Sequence, residues 1–324
     1  MSKPFLDVAA GLITKPDGSL LLGERPADKP WPGWWELPGG KIEAGETVLQ
    51  ALARELKEEL DIDVTEATPW VTYTHEYPKN IVRLAFCRVT GWNGTPTGLE
   101  GQRLAWVDPK SPLDVGPLLP ATEPPLRWLR LPEQYLLTSI GSTANLDDFL
   151  KRLEQAFASG VGMVQFREPA WAAQAEQASA VASAFEAVLS LCQRHGVLCL
   201  VNSAHPQAWW SRADGVHLRQ RDAASFDRST LPNKWVGLSV HAQGELEQVK
   251  KIEADFVVLG HVLPTPSHPG QAALGWQTFN QIAQNAGVPV YAIGGQSFAT
   301  VAEARQHGAH GIAAIRGLLP DSAG

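Results

Sequence analysis

Glu55, Glu58 and Glu59 stand three and four residues apart, a spacing that gathers their carboxylates on one side of a helix. Carboxylates crowded in this way repel one another unless a cation sits among them. A hard divalent ion suits them, since Mg²⁺ prefers oxygen ligands and shares its shell with water and substrate phosphates. A glycine pair, Gly39-Gly40, precedes the segment, and Glu46 and Arg54 add a further acid and a base. The chemistry these residues point to is catalysis by a metal ion on a substrate phosphate. The plainer alternative is that the acids are the solvated face of an amphipathic helix whose apolar stripe is Val48, Leu49, Leu52, Leu56 and Leu60.

The elements that must hold these residues follow from periodicity and turn chemistry. Val8 to Ile13 reads as a strand, Pro16-Asp17-Gly18 as a turn and Leu20 to Glu24 as the returning strand of a hairpin. After the acidic helix come strand-like runs at residues 70–77, 81–89 and 104–107, so the first half is expected to be an α+β domain. Residues 117–132 carry five prolines. Proline clusters punctuate elements, and the boundary is placed near the end of this stretch, giving domains 1–131 and 132–324. In the second half, eight short apolar runs alternate with helical patterns, at residues 135–138, 163–167, 198–202, 215–218, 236–241, 255–260, 289–294 and 311–315. That is the count a (β/α)₈ TIM barrel requires. Its first helix is expected to be capped by Asn145, to bury Leu146, Phe149, Leu150, Leu153 and Phe157, and to stop at Gly160; its second is expected from about Trp171 to His195, stopped by Gly196.

Composition narrows the function classes. Hydrophobic content of 44% with 19% charged residues is that of an ordinary globular protein. A formal charge of −7 lacks the basic footprint needed to displace counterions from a nucleic acid, so a nucleotide substrate is expected to be free and not polymeric. Cys87, Cys192 and Cys199 form no C-x-x-C pair and imply neither a disulfide frame nor a zinc site; they are expected to be buried in a reducing compartment. With no signal-peptide core and no run of about 18 apolar residues, the expectation is a cytoplasmic protein with no membrane span or membrane partner.

The run from Gly40 through Glu46, Arg54-Glu55-Leu56 and Glu58-Glu59 to Ile62 resembles the Nudix box. One position departs: the family usually has glycine where this chain has Asp61. That is a helix C-terminal site where a left-handed residue is wanted, and Asp is among the more tolerant side chains. Residues 5–130 are similar to MutT-type Nudix hydrolases, through Leu37-Pro38-Gly39-Gly40-Lys41-Ile42-Glu43, Glu76-Tyr77-Pro78, Trp92-Asn93-Gly94, Gly98-Leu99-Glu100-Gly101-Gln102 and Pro120-Ala121-Thr122-Glu123-Pro124. The resemblance implies an α+β fold, a mixed sheet with flanking helices, and hydrolysis of nucleoside triphosphates, notably oxidised guanine nucleotides such as 8-oxo-dGTP, to monophosphate and pyrophosphate. It implies Mg²⁺, with Mn²⁺ as a substitute, held by Glu55, Glu58, Glu59, Glu100 and the Gly39 carbonyl. Arg54 and Glu46 would orient that shell, and the base is open among Glu58, Glu59 and Glu100. Arg25 is a phosphate-binding candidate, guanidinium donors matching phosphate geometry. Leu37, Asn80 and Thr122 would meet the substrate. Thr122 stands where the family uses an asparagine to read the base, and a hydroxyl offers a shorter, rotatable contact than an amide. Asn80 stands where the family has a basic residue.

The second half resembles thiamine phosphate synthase and its TenI relatives, through Val164-Gln165-Phe166-Arg167, Leu200-Val201-Asn202, Ala213 to Leu218, Leu238-Ser239-Val240-His241, Gly260 to Pro266 and Ala292-Ile293-Gly294-Gly295. The resemblance implies a phosphate and ligand site of Arg167, Asn202, Asp222, Ser239, Thr265, Gly294 and Gly295, with the turn near Arg316, at the C-terminal ends of the strands. A phosphorylated thiazole or pyrimidine is the implied ligand. The synthase pattern is broken: Pro169 and His268 occupy places of lysines, Ser203 that of a metal-binding aspartate, and of the acidic pair Asp222 remains. Losing a ligand and two cations removes electrostatic stabilisation of a departing pyrophosphate, so the barrel is not expected to be a competent synthase. His241 matches the TenI base for proton transfer on a thiazole phosphate. Three functions are therefore in play: a nucleotide-sanitising hydrolase serving DNA repair, a Nudix hydrolase of thiamine-pathway diphosphates, and a barrel that acts as a thiazole tautomerase or a sensor of phosphate ligands.

Overall fold

The computed structural model describes residues 3–320 with the exception of His268. Contacts divide the chain into two compact units, Met1–Leu131 and Pro132–Gly324. In the first, the elements are β1 (Phe5–Ile13), β2 (Leu20–Glu24), β3 (Trp35–Glu36), β4 (Gly39–Lys41), α1 (Val48–Leu60), β5 (Asp63–Glu76), β6 (Ile81–Asn93), β7 (Leu104–Val107) and α2 (Glu123–Trp128). They build a mixed sheet in the order β4-β1-β6-β5 and an antiparallel sheet in the order β3-β2-β7. The hairpin expected over residues 8–24 does not form. β1 pairs parallel with β6 and antiparallel with β4, while β2 joins β3 and β7, and a single bridge from Thr14 to Leu20 is what links the two runs. The turn closes, with Lys15 N–H donating to Ser19 O at 3.0 Å, but each strand finds its ladder partners in a different sheet.

Helix α1 starts at a capping box: Thr47 Oγ1 accepts from Gln50 N–H, and Gln50 Oε1 accepts from Thr47 N–H. Ala51, Leu52, Leu56 and Leu60 are buried with Ala9, Ile13, Leu21, Cys87 and Val89. Leu49, expected in the stripe, is exposed, because the fully buried part of the helix begins at Ala51, one turn in. The helix ends at Asp61 in the left-handed region, φ 54° and ψ 36°, with its N–H donating to Lys57 O. Lys57 Nζ also reaches Asp61 Oδ1 at 2.8 Å.

The second unit is a closed barrel of eight parallel strands, β8 (Gln134–Leu137), β9 (Met163–Phe166), β10 (Leu198–Asn202), β11 (Gly215–Leu218), β12 (Trp235–Val240), β13 (Phe256–Gly260), β14 (Val290–Ile293) and β15 (Gly311–Ala314). Among the described residues six α-helices run between these strands: α3 (Leu146–Ala158), α4 (Pro169–Ala172), α5 (Ala178–His195), α6 (Leu246–Lys251), α7 (Gly275–Ala283) and α8 (Val301–Gln306). β10 to β11 and β11 to β12 cross over through 3₁₀ turns. Period-two alternation sends Leu136, Val164 and Val216 outward into the helix-packed core and Tyr135, Gln165 and His217 into the barrel. Inside, Tyr135, Phe256 and Tyr291 pack edge-on or tilted at centroid distances of 5.4 to 5.8 Å.

Two helix expectations are corrected. Asn145 precedes α3, but it ends a 3₁₀ turn and its Nδ2 donates to Ile140 O instead of capping. The helix expected from Trp171 to His195 is broken into α4, a 3₁₀ turn at Ala175–Gln177 and α5, while Gly196 does stop it at φ 66°. All three cysteines are buried and free. Among the described residues no helix is long and apolar enough to cross a membrane.

The Asp61 cap sets a test. Asp61→Leu is expected to lower the unfolding free energy by about 1–2 kcal/mol in chemical denaturation, since a branched side chain tolerates the left-handed region poorly, whereas Asp61→Gly should hold or gain stability. Equal stability of the two variants would show that the conformation is not a constraint.

Candidate active sites

In the first unit the acidic cluster forms where α1 packs against β4. A side chain at Gly40 would collide with the Glu55 carboxylate, and one at Gly39, φ 140°, with the Ala9 carbonyl, so Gly40 lets β4 lie against α1 and Gly39 lets it lie against β1. Arg54 then fixes the acids: Nε and Nη2 meet Glu46 at 2.8 and 2.9 Å, Nη1 meets Glu55 at 2.9 Å and Glu58 at 3.3 Å, and Nη2 also donates to Lys41 O. Hydrogen bonds from Arg54 and from Glu43 N–H hold Glu46 down at about 2. Glu59 lies on the other side, accepting from Gly39 N–H at 3.1 Å. The contact therefore uses the Gly39 amide, where the resemblance implied its carbonyl as a ligand. Burial, opposed by that N–H and by Lys29 and reinforced by Glu100 and Glu36, pushes Glu59 up to about 7.

Glu100 comes from the β6–β7 loop, which is bolted to the end of α1 by Leu99 N–H and Gln102 Nε2, both donating to Glu59 O at 3.0 Å. Its carboxylate meets the Lys29 ammonium, which also stands 3.9 Å from Glu59 Oε1. Among the described residues no three His, Cys, Asp or Glu side chains converge as a metal-holding group. The expected ligand set is split between two cations, Arg54 on Glu55 and Glu58, and Lys29 on Glu59 and Glu100. An ammonium standing between two carboxylates, on an all-oxygen donor set, fits a divalent cation at Glu59 and Glu100.

The remaining predicted residues are placed less directly. Arg25 is an internal anchor: Nε donates to Pro30 O at 2.6 Å and Nη1 pairs with Glu36 at 2.5 Å, so two of its donors hold the loop between β2 and β3 and do not face open solvent. Leu37 is buried and lines the small cleft that also holds Lys29, Glu59 and Glu100. Asn80 sits in the β5–β6 turn, its carbonyl accepting from Tyr77 N–H. Thr122 is buried ahead of α2 with no side-chain cap bond.

In the second unit a cavity of about 610 Å³ opens at the C-terminal ends of the strands. Arg167, Asn202, Ser239, His241, Thr265, Gly294, Gly295 and Arg316 all line it. Gly294 and Gly295 take φ of 96° and 67°, and added side chains there would press on His261 and Leu263. Beneath the cavity runs a buried chain: Asn202 Nδ2 donates to Gln165 Oε1 (2.8 Å), Gln165 Nε2 to Tyr135 Oη (2.9 Å), and Tyr135 meets His217 Nδ1 (3.3 Å), whose Nε2 meets Ser239 Oγ (2.9 Å). Burial and the nearby Arg167 push His217 down to about 3. A neutral ring that accepts from Tyr135 at Nδ1 would donate from Nε2 to Ser239 Oγ. Gln165 and His217 lie in segments read from the sequence but only the buried chain reveals them as site residues.

Asp222 does not line this cavity. Its Oδ2 accepts from Arg219 Nε and from Ser203 Oγ, both at 2.5 Å, and Ser203 Oγ in turn accepts from Arg219 N–H. A metal does not fit there: the retained acid is neutralised by a guanidinium and its partner acid is a serine. Arg219, absent from the expected site, lines the cavity with Arg167, and burial beside Arg219 lowers Arg167. His241 is at the rim, 62% exposed in its side chain, with its Nδ1 3.4 Å from Glu245. Pro169 begins α4. His268 lies outside the described residues.

Comparison with known proteins agrees with both folds. The NUDIX domain family model matches residues 4–129, and the model described as thiamine monophosphate synthase (TMP-TENI) matches residues 134–318. The chain is 40% identical over 121 residues to the 8-oxo-dGTP diphosphatase of Haemophilus influenzae, covering 37% of this chain and 88% of that one. It is 39% identical over 120 residues to the CTP pyrophosphohydrolase of Escherichia coli, covering 37% and 87%. Over the barrel it is 31% identical across 192 residues to a putative thiamine-phosphate synthase 2 of Aquifex aeolicus, covering 59% and 100%. The chain thus belongs to the Nudix family in its first unit and to the thiamine monophosphate synthase family in its second.

The raised Glu59 carboxyl gives a pH signature. Its folded value, about 7, lies above the ordinary 4.5, so the folded, metal-free protein holds the extra proton between those values. Stability in chelator is expected to fall as pH rises from about 4.5 to 7 and to level off above. Glu59→Gln should flatten that slope in denaturant melts; an unchanged slope would remove Glu59 as its source.

Proposed function

We propose that the first unit is a Mg²⁺-dependent pyrophosphohydrolase of nucleoside triphosphates, releasing monophosphate and pyrophosphate, with 8-oxo-dGTP as its preferred substrate. The observation that carries this is the pairing of Glu59 with Glu100 around a cationic group, beside Glu55 and Glu58 held by Arg54. Magnesium, when bound, would screen the polyphosphate and lower the pKa of a water. The protein's own part is positional. Arg54 restrains the rotamers of Glu46, Glu55 and Glu58, the Gly39 N–H orients Glu59, and the loop bonds at Glu59 O set where Glu100 stands. Proton acceptance falls to one of Glu58, Glu59 and Glu100. The H. influenzae and E. coli relatives support a nucleotide substrate, and Thr122, buried and lacking an amide, argues for a weaker hold on the oxidised base than an asparagine would give.

A second substrate class has its own observation, the fusion to a barrel with a cation-lined cavity. Purified protein with Mg²⁺ should be offered 8-oxo-dGTP, dGTP and thiamine-pathway diphosphates, scored by kcat/KM. The sanitation reading expects the oxidised nucleotide to lead; a thiamine-pathway diphosphate far ahead of both nucleotides would replace it. Glu58→Gln, at a largely exposed position, should lower kcat by about 10²-fold or more with an unchanged melt. Wild-type turnover in that variant would refute the carboxylate assignment.

For the barrel we propose a phosphate-ligand site without synthase activity, supported by the Arg219–Asp222 pair and by Pro169 and Ser203. Its ligand class is a thiazole or pyrimidine phosphate, with His241 as the acid–base group if it turns the ligand over. A thiazole phosphate is expected to bind, and isomerisation, if seen, to vanish in His241→Ala. Synthesis of thiamine phosphate by the purified protein would overturn the reading.

A further inference from the structure

The loop between β2 and β3, residues 25–34, is shaped by its own backbone. Arg25 N–H donates to Trp34 O at 2.8 Å, Gly33 N–H to Arg25 O at 2.9 Å, and Lys29 N–H to Pro26 O at 3.2 Å. The Arg25 side chain ties the loop to Pro30 O and to Glu36. This frame aims Lys29 at two carboxylates that belong to other elements, Glu59 at the end of α1 and Glu100 in the β6–β7 loop. Those two acids are brought together independently of Lys29, by the bonds from Leu99 and Gln102 to Glu59 O. The ammonium therefore enters a preset anionic gap and is not what builds it.

A lysine is a flexible point charge on a four-carbon stem, and Lys29 is partly exposed, its side chain at 36%. A pair so open to water adds little stability. A divalent ion brings twice the charge and needs the same oxygens. Resting on the reading that Glu59 and Glu100 help hold the metal, we propose that Lys29 is a tethered, displaceable occupant of the cation position. It neutralises Glu59 and Glu100 before the metal arrives, competes with that metal, and, once displaced, turns its charge to the nucleotide's polyphosphate at the same cleft. Lys29 is thus a positioning residue that weakens metal binding alone and strengthens binding of the nucleotide.

The test uses the full chain. Metal-depleted wild type, Lys29→Met and Lys29→Arg are titrated with Mn²⁺, free ion being read by electron paramagnetic resonance, and nucleotide KM is measured with Mg²⁺ in excess. Lys29→Met is expected to bind Mn²⁺ about twofold to fivefold more tightly, the scale of an exposed ion pair, and to show a higher KM; Lys29→Arg should stay near wild type in both. Opposite signs separate this role from simple loop damage, which would weaken both. Thermal melts in chelator should place Lys29→Met close to wild type, with a larger gain on adding Mn²⁺. Wild-type Mn²⁺ binding with no change, or a loss, in Lys29→Met overturns the Lys29 inference and leaves the metal site standing. Absence of Mn²⁺ binding in all three proteins overturns both.

Discussion

Like charges on one face of α1 repel, and the first unit depends on the guanidinium that answers them. Arg54 spreads its donors over Glu46, Glu55, Glu58 and the Lys41 carbonyl, joining the helix to the turn before it and to the strand that delivers Gly39 and Gly40. One planar group with several donors can do this where an ammonium cannot. Because Arg54 takes the acids on its own side, Glu59 is left to the Gly39 amide and to the cleft, where burial raises it toward neutrality. The chemistry of the site follows from this division of carboxylates between a fixed cation and an exchangeable one.

The barrel solves a similar problem in the opposite way. Arg219 and Ser203 close around Asp222, with short bonds and with backbone contacts on both sides, so the cation there is locked in and not exchangeable. Arg167 and Arg219 then give the cavity a positive character without a metal. Lys29 and Arg219 are both cations beside acids, but one hangs on a flexible stem at a half-open cleft and the other is a planar fork held at two points, Asp222 Oδ2 and Ser203 O.

Much of this was legible in residue spacing. The acids of α1, the left-handed end at Asp61 and the eight strands of the barrel are all local patterns, set by periods of 3.6 and 2 and by turn chemistry. Strand pairing was not, since the β1–β2 turn reads as a hairpin while the two strands join different sheets. Nor was the break at Pro169 to Gln177, where a continuous helical pattern conceals a short helix and a 3₁₀ turn ahead of α5.

By itself, then, the sequence determined which side chains carry charge, which face of α1 they share, where the two domains divide in composition, and which residues have been lost from a synthase pattern. The tertiary structure alone decided which charges meet. Lys29 lies far along the chain from Glu100, and Asn202, Gln165, Tyr135, His217 and Ser239 come from five different strands of the barrel. A Coulomb or hydrogen-bond contact depends on separation in space, and that separation is set by sheet register and loop closure, which no local pattern of residues encodes.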